Sequence, residues 1–99
     1  MALTVEFSRR STTQLQKILK FYDERNESDV YSRRLLKCLL TNLEQLSVMP
    51  TASCSSTRDD VRFFYLMGFT IIFRYNSRKL IVLSIRSSVR KPLKIYQPR

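Results

Sequence analysis

The spacing of apolar residues changes once along this chain, near residue 60, and the change restricts the fold class. Upstream, Leu15, Ile18, Leu19 and Tyr22 recur at i, i+3, i+4 and i+7. That spacing gathers them on one face of an amphipathic helix, which the sequence carries to about Arg25. Asn26-Glu27-Ser28-Asp29 breaks it, with Ser28 as an N-cap and Asp29 placed against the positive end of a second helix dipole. Tyr31, Leu35, Cys38, Leu39, Asn42, Leu43 and Leu46 then keep a second helical stripe, and Pro50 stops it. Two helices with so short a link lie antiparallel.

Downstream of residue 60 the pattern is that of strands. Val61–Leu66 and Phe69–Tyr75 are runs of β-formers on either side of Met67-Gly68, where the chain's single glycine suits a tight hairpin. Asn76-Ser77-Arg78 is the next turn. Leu80–Ile85 is almost continuously apolar, which suits an interior strand. Leu3, Val5 and Phe7 alternate with Thr4 and Glu6 as an opening strand, and Ser8 or Ser11 can start the first helix. The small, polar segment Thr51–Asp60 reads as a long loop.

These elements predict one α+β domain over residues 1–99: an N-terminal strand, an antiparallel two-helix hairpin, then a three-stranded antiparallel meander. Both helices pack on one face of the sheet. The other face is open. If Phe69, Ile71, Phe73 and Tyr75 point at the helices, Thr70, Ile72 and Arg74 line the open face. Arg62 joins them if the hairpin loop has an odd number of residues. Leu80, Val82, Ser84 and Arg86 do so if Ile81, Leu83 and Ile85 point inward.

Charge is segregated as sharply as periodicity. Residues 1–60 hold nine Lys/Arg and eight Asp/Glu, whereas 61–99 hold nine Lys/Arg and no acid, so nearly all of the net +10 lies in the second half. Such a chain suits a polyanionic partner: nucleic acid, an acidic protein segment or an anionic membrane surface. No apolar run reaches the length of a membrane span, and charged residues interrupt the first 25, so the sequence points to the cytoplasm and to no membrane partner. Cys38 and Cys54 lack metal-type spacing, and without histidine a Cys/His zinc site and every histidine-based catalytic dyad are excluded. No cofactor is expected. Cys38, on the second helical stripe, reads as a small core hydrophobe.

The order of these elements resembles the RelE/ParE superfamily of small toxins from bacterial type II toxin–antitoxin pairs. Its carriers are the opening Val5-Glu6-Phe7-Ser8, Tyr31-Ser-Arg-Arg-Leu-Leu36 in the second helix, and Val61-Arg62 at the start of the meander. Gly68-Phe-Thr-Ile-Ile-Phe-Arg-Tyr75 looks like the family's central strand, and Leu80–Ile85 followed by Arg90-Lys91-Pro92 looks like its last strand and basic exit. The resemblance implies a growth inhibitor neutralised by a cognate antitoxin that wraps it.

Two target classes follow from the resemblance. ParE-like members inhibit DNA gyrase, and RelE-like members cleave messenger RNA on the ribosome. For RNA cleavage the resemblance gives roles to Arg90, just past the last strand, to Tyr96, and to Arg62 near the place of a catalytic lysine. Arg74, Arg86, Lys91 and Lys94 would contact nucleic acid or another target. The chain departs from the nuclease pattern at two points: Thr70 stands where the central strand carries an arginine, and Arg62-Phe63-Phe64 replaces a Lys-x-Lys pair. Loss of one preorganised charge contact typically costs about 2.7–4 kcal/mol of transition-state stabilisation, so these departures favour the gyrase reading. Arg90 with Tyr96 argues the other way. A third reading, from charge alone, is a non-toxic nucleic-acid-binding module, in which Arg90, Lys91 and Lys94 form a solvated basic tail and Tyr96 packs on the sheet.

Overall fold

The computed structural model describes residues 2–56 and 60–88. Strand β1, Thr4–Phe7, leads through Ser8 into helix α1, Arg9–Asn26; helix α2 covers Val30–Val48. A 3-10 turn, Pro50–Ala52, precedes the two-residue strand β2, Cys54–Ser55. The hairpin and last strand follow as β3, Val61–Leu66, β4, Phe69–Tyr75, and β5, Lys79–Ser87. The five strands form one sheet in the order β1-β5-β4-β3-β2, in which only β1 and β5 run parallel.

Local chemistry sets the ends of the helices. Ser8 caps α1, its hydroxyl accepting from the Ser11 amide at 3.0 Å. Glu27 closes α1 in the left-handed region at φ 52°, and its amide bonds the Asp23 carbonyl. Asp29 is the residue that precedes α2, and it makes no capping bond; the Ser28 hydroxyl accepts from the Val30 amide at 3.2 Å instead. Asp29 spends its carboxylate on Arg33, one turn on, at 3.0 Å.

The core lies between α2 and the middle of the sheet. Leu35, Leu39, Leu43 and Leu46 of α2 meet Phe69, Ile71 and Phe73 of β4 and Leu80, Val82 and Ile85 of β5. Leu15, Ile18, Leu19 and Tyr22 of α1 pack against its side, as their spacing predicts. Cys38 is half-buried and Cys54 exposed, both as free thiols.

One feature differs from the expectations of sequence, and two others decide what sequence left conditional. Cys54–Ser55, in the segment read as loop, pairs with Phe63 and Arg62 as a fifth strand; two polar residues carry no periodicity to reveal it. The β3–β4 loop has two residues, Met67 at φ 49° and Gly68 at φ 85°. Two positive φ values give a turn whose twist matches the strands. An even loop sets Arg62 opposite Phe73, so Arg62 stands on the helix side of the sheet rather than on the open face.

The third feature is the facing of β5. Leu80 and Val82 are fully buried on the helix side, yet Ile85 is buried there too. The pairing with β4 slips here, with Ile72 opposite Ser84 and Phe73 opposite Val82, so Leu83 is an extra residue. Such a bulge reverses the inward parity partway along a strand.

The bulge also determines how α1 is held. β1 pairs with β5 only as far as Phe7 opposite Val82. Beyond that point the edge of β5 bonds to the start of α1. The Ser8 amide donates to the Val82 carbonyl at 2.9 Å and the Ser8 hydroxyl to the Leu83 carbonyl at 3.2 Å. The buried Ser11 hydroxyl reaches Val82 at 2.9 Å, and the Ile85 amide donates to Gln14 Oε1 at 2.7 Å. Ser8→Ala removes the cap and one strand contact together. It should cost about 1–2 kcal/mol in urea unfolding of the purified chain, most of it restored by Ser8→Thr.

Candidate functional site: the open face of the sheet

Strand register arranges the open face in rows across β5, β4 and β3. Arg86, Thr70 and Tyr65 form one row, and Ser84, Ile72 and Phe63 the next, which Cys54 extends on β2. Ile81, Arg74 and Val61 form the third, with Glu6 of β1 beside Ile81. Thr4 and Lys79 make the last.

Ile72, Ile81, Phe63 and Thr70 are half-buried, whereas Arg74, Arg86 and Tyr65 are exposed, Tyr65 by 64%. The edge of the Phe63 ring meets the Tyr65 ring with centroids 5.6 Å apart. The result is an apolar band with an arginine on either side. Four residues of extended chain separate the rows of Arg86 and Arg74 by about 14 Å, so the two guanidinium groups flank the band rather than stem from one point. The Ser84 hydroxyl is buried in the middle row and has no hydrogen-bond partner among the described residues.

Charge on this face differs from one end to the other. Lys79 Nζ lies 3.2 Å from Glu6 Oε2, an exposed pair that neutralises the β1 end. Arg74 and Arg86 make no ion pair within the described residues, so their charge is available to an anionic ligand or protein surface. Tyr31, whose phenol is pushed up by burial and by neighbouring Tyr22, sits in the helix hairpin, away from this face.

The predicted site residues thus divide. Arg74 and Arg86 share the open face. Arg62 does not join them: its guanidinium donates to Ser53 Oγ at 3.0 Å, to the Ser53 carbonyl at 2.6 Å and to the Thr51 carbonyl at 3.3 Å. It clasps the end of the 3-10 turn against the sheet. Arg90, Lys91, Lys94 and Tyr96 lie outside the described residues. Tyr65 and the Glu6–Lys79 pair belong to the face without having been singled out from sequence; hairpin loop length and the parallel pairing of β1 with β5 put them there. Among the described residues no group of side chains suits a metal ion, and no helix is long and apolar enough to cross a membrane.

Two helices cover one side of a sheet whose first and last strands in chain order run parallel, and the other side is open among the described residues. Residues 5–92 match the model of the family described as the ParE toxin of type II toxin–antitoxin systems, parDE, and the chain belongs to that family. Among solved structures it is similar to a chain of the chromosomal ParDE toxin–antitoxin system from P. aeruginosa. The two share 16% identity and superpose with a TM-score of 0.69, over 87% of this chain and 96% of that one. No curated protein matches the chain.

The two kinds of arginine predict different losses. Arg62→Ala should lower the unfolding midpoint and loosen the Thr51–Ser53 segment, with biological activity falling only as folded protein is lost. Arg86→Ala, at an exposed position, should change stability by less than about 0.5 kcal/mol. Thermal unfolding alongside growth inhibition distinguishes them; equal destabilisation by both would contradict the assignment of Arg62 to the fold.

Proposed function

We propose that this chain is a growth-inhibiting toxin held in check by a cognate antitoxin in the cytoplasm, and that its target is DNA gyrase. The observation that carries the choice of target is the composition of the open face. An apolar, aromatic band flanked by Arg74 and Arg86 suits docking on a protein surface. Apolar and aromatic groups supply the buried contact area of such interfaces, and arginines at the margin steer encounter. RNA cleavage asks for something else: several cations converging on one phosphate, with groups to move protons. Thr70 occupies the centre of the arginine row, and the Arg62 side chain is engaged on the opposite side of the sheet.

The antitoxin follows from the same reading. With a net charge of +10 and no acid after Asp60, the chain favours an acidic partner.

The test is supercoiling by purified gyrase with the purified toxin added. Inhibition is expected, relieved by the antitoxin and weakened by Arg74→Ala or Arg86→Ala; supercoiling unchanged at excess toxin rules this target out. Arg90 and Tyr96 support a second reading, ribosome-dependent mRNA cleavage, which requires new ends in primer-extension maps after induction and loss of those ends with Tyr96→Ala.

A further inference from the structure

Helix α1 carries its charge against the sense of its own dipole. Its first three turns hold Arg9, Arg10, Lys17 and Lys20 and no acid; Asp23 and Glu24 come only in the last turn. The start of a helix favours acids and is disfavoured by cations, so helix stability does not account for Arg9 and Arg10. Solubility does not require them there either, since net charge supplies it from any position. None of the four cations forms an ion pair among the described residues, and the acid that precedes them, Glu6, is held by Lys79.

Packing decides where these cations point. Ser11 and Gln14 bond to the edge of β5, and Leu15, Ile18, Leu19 and Tyr22 pack on the core. The rest of the helix circumference faces solvent, and Arg9, Arg10, Thr13, Gln16, Lys17 and Lys20 are all exposed on it. Arg10 and Lys17, two turns and about 10 Å apart along one line of the helix, ride on the flank next to β5. Lys17 lines a small cleft with Ser87 at the end of that strand, and Arg86, the residue before, is exposed on the open face. The cations of α1 and Arg86 therefore form one positive border along the side of the sheet where β1 has stopped. No residue of α1 lines the groove of about 860 Å³ between α2 and β1, which is a separate surface.

The chemistry of the border selects its partner. Thr13 and Gln16 stand between the cations, and no exposed apolar residue appears in α1 before Phe21, whose ring lies 5.9 Å from the Arg25 guanidinium. A protein-binding patch has an apolar centre, as the open face does. Cations interleaved with neutral hydrogen-bonding side chains suit a phosphodiester backbone instead. The spacing agrees: one strand of duplex DNA advances about 3.4 Å per nucleotide, so the interval from Arg10 to Lys17 spans about three nucleotides.

We propose that the exposed side of α1, continued by Arg86, binds the phosphate backbone of duplex DNA without regard to sequence. Arg9, Arg10, Lys17 and Lys20 supply the charge, and Thr13 and Gln16 supply hydrogen bonds. The choice of DNA over RNA rests on the gyrase reading above, since that target acts on DNA; the surface itself does not depend on it.

The experiment follows the fluorescence anisotropy of a short labelled DNA duplex of mixed sequence, titrated with the full chain at several salt concentrations. Arg10→Glu and Lys17→Glu should each weaken binding by about eightfold or more at about 0.1 M salt, and reduce the slope of log K against log salt by about 0.9, the effect of one lost phosphate contact. Arg78→Glu makes the same change in net charge at the other end of β5, where screening leaves binding within about twofold of the parent. Arg10→Glu also puts an acid in the first turn of α1, so its thermal midpoint should stay at or above the parent's, which separates lost binding from lost fold. Binding that neither α1 variant changes, or that Arg78→Glu lowers equally, overturns the assignment to α1. Displacement of the duplex by poly-glutamate at equal charge overturns it in favour of an acidic protein surface, and tighter binding of an RNA duplex of the same sequence overturns DNA as the partner. The readout needs no gyrase: unchanged supercoiling overturns the target reading alone, and absence of duplex binding overturns this proposal alone.

Discussion

The edge of β5 beyond Val82 is the point on which the rest of this structure depends. β1 is too short to pair with β5 along its whole length, and unpaired backbone in the middle of a packed layer is costly. The start of α1 takes over where β1 stops: Ser8, Ser11 and Gln14 satisfy Val82, Leu83 and Ile85. One set of bonds therefore caps a helix, completes a strand edge and fixes the angle at which α1 leaves the sheet. The extra residue at Leu83 is tolerated because side chains of α1, rather than another strand, meet its displaced backbone.

The bulge has consequences on both faces. Because it reverses the parity of β5, Leu80 and Val82 fill the core ahead of it and Ile85 does so behind it. The same reversal sends Ile81 and Arg86 outward at either end of the open face, and Ser84 into its centre. The apolar band between two arginines is thus a product of one slipped residue. Without the slip, Leu80 and Val82 would share a face with Arg86, and the core would lose the two β5 side chains with no exposure at all.

The two surfaces that follow have different chemistry. The open face combines aromatic contact with uncompensated arginine. The groove between α2 and β1 is lined by Leu36, Lys37 and Leu40 on one wall and Leu3 and Val5 on the other. The groove lies on the helix side of the sheet and the open face on the other.

Sequence alone determined β1, the two helices and the three strands of the meander, and their order along the chain. The change of period near residue 60, the stop at Pro50, the hairpin at Met67-Gly68 and the apolar run through Leu80–Ile85 each reflect physics local to a few residues, and each appears where it was read. The sets Phe69, Ile71, Phe73, Tyr75 and Thr70, Ile72, Arg74 were legible as two faces for the same reason, and the structure turns the first toward the helices. What sequence could not give was the phase of one strand against its neighbours. Arg62 was placed by whether the loop held an even or odd number of residues, β5 by a bulge that no local pattern marks, and β2 by pairing rather than by its two polar side chains. Period belongs to a single strand and is written in its side chains. Parity across a sheet belongs to the hydrogen bonds between strands, and only the tertiary structure decides it.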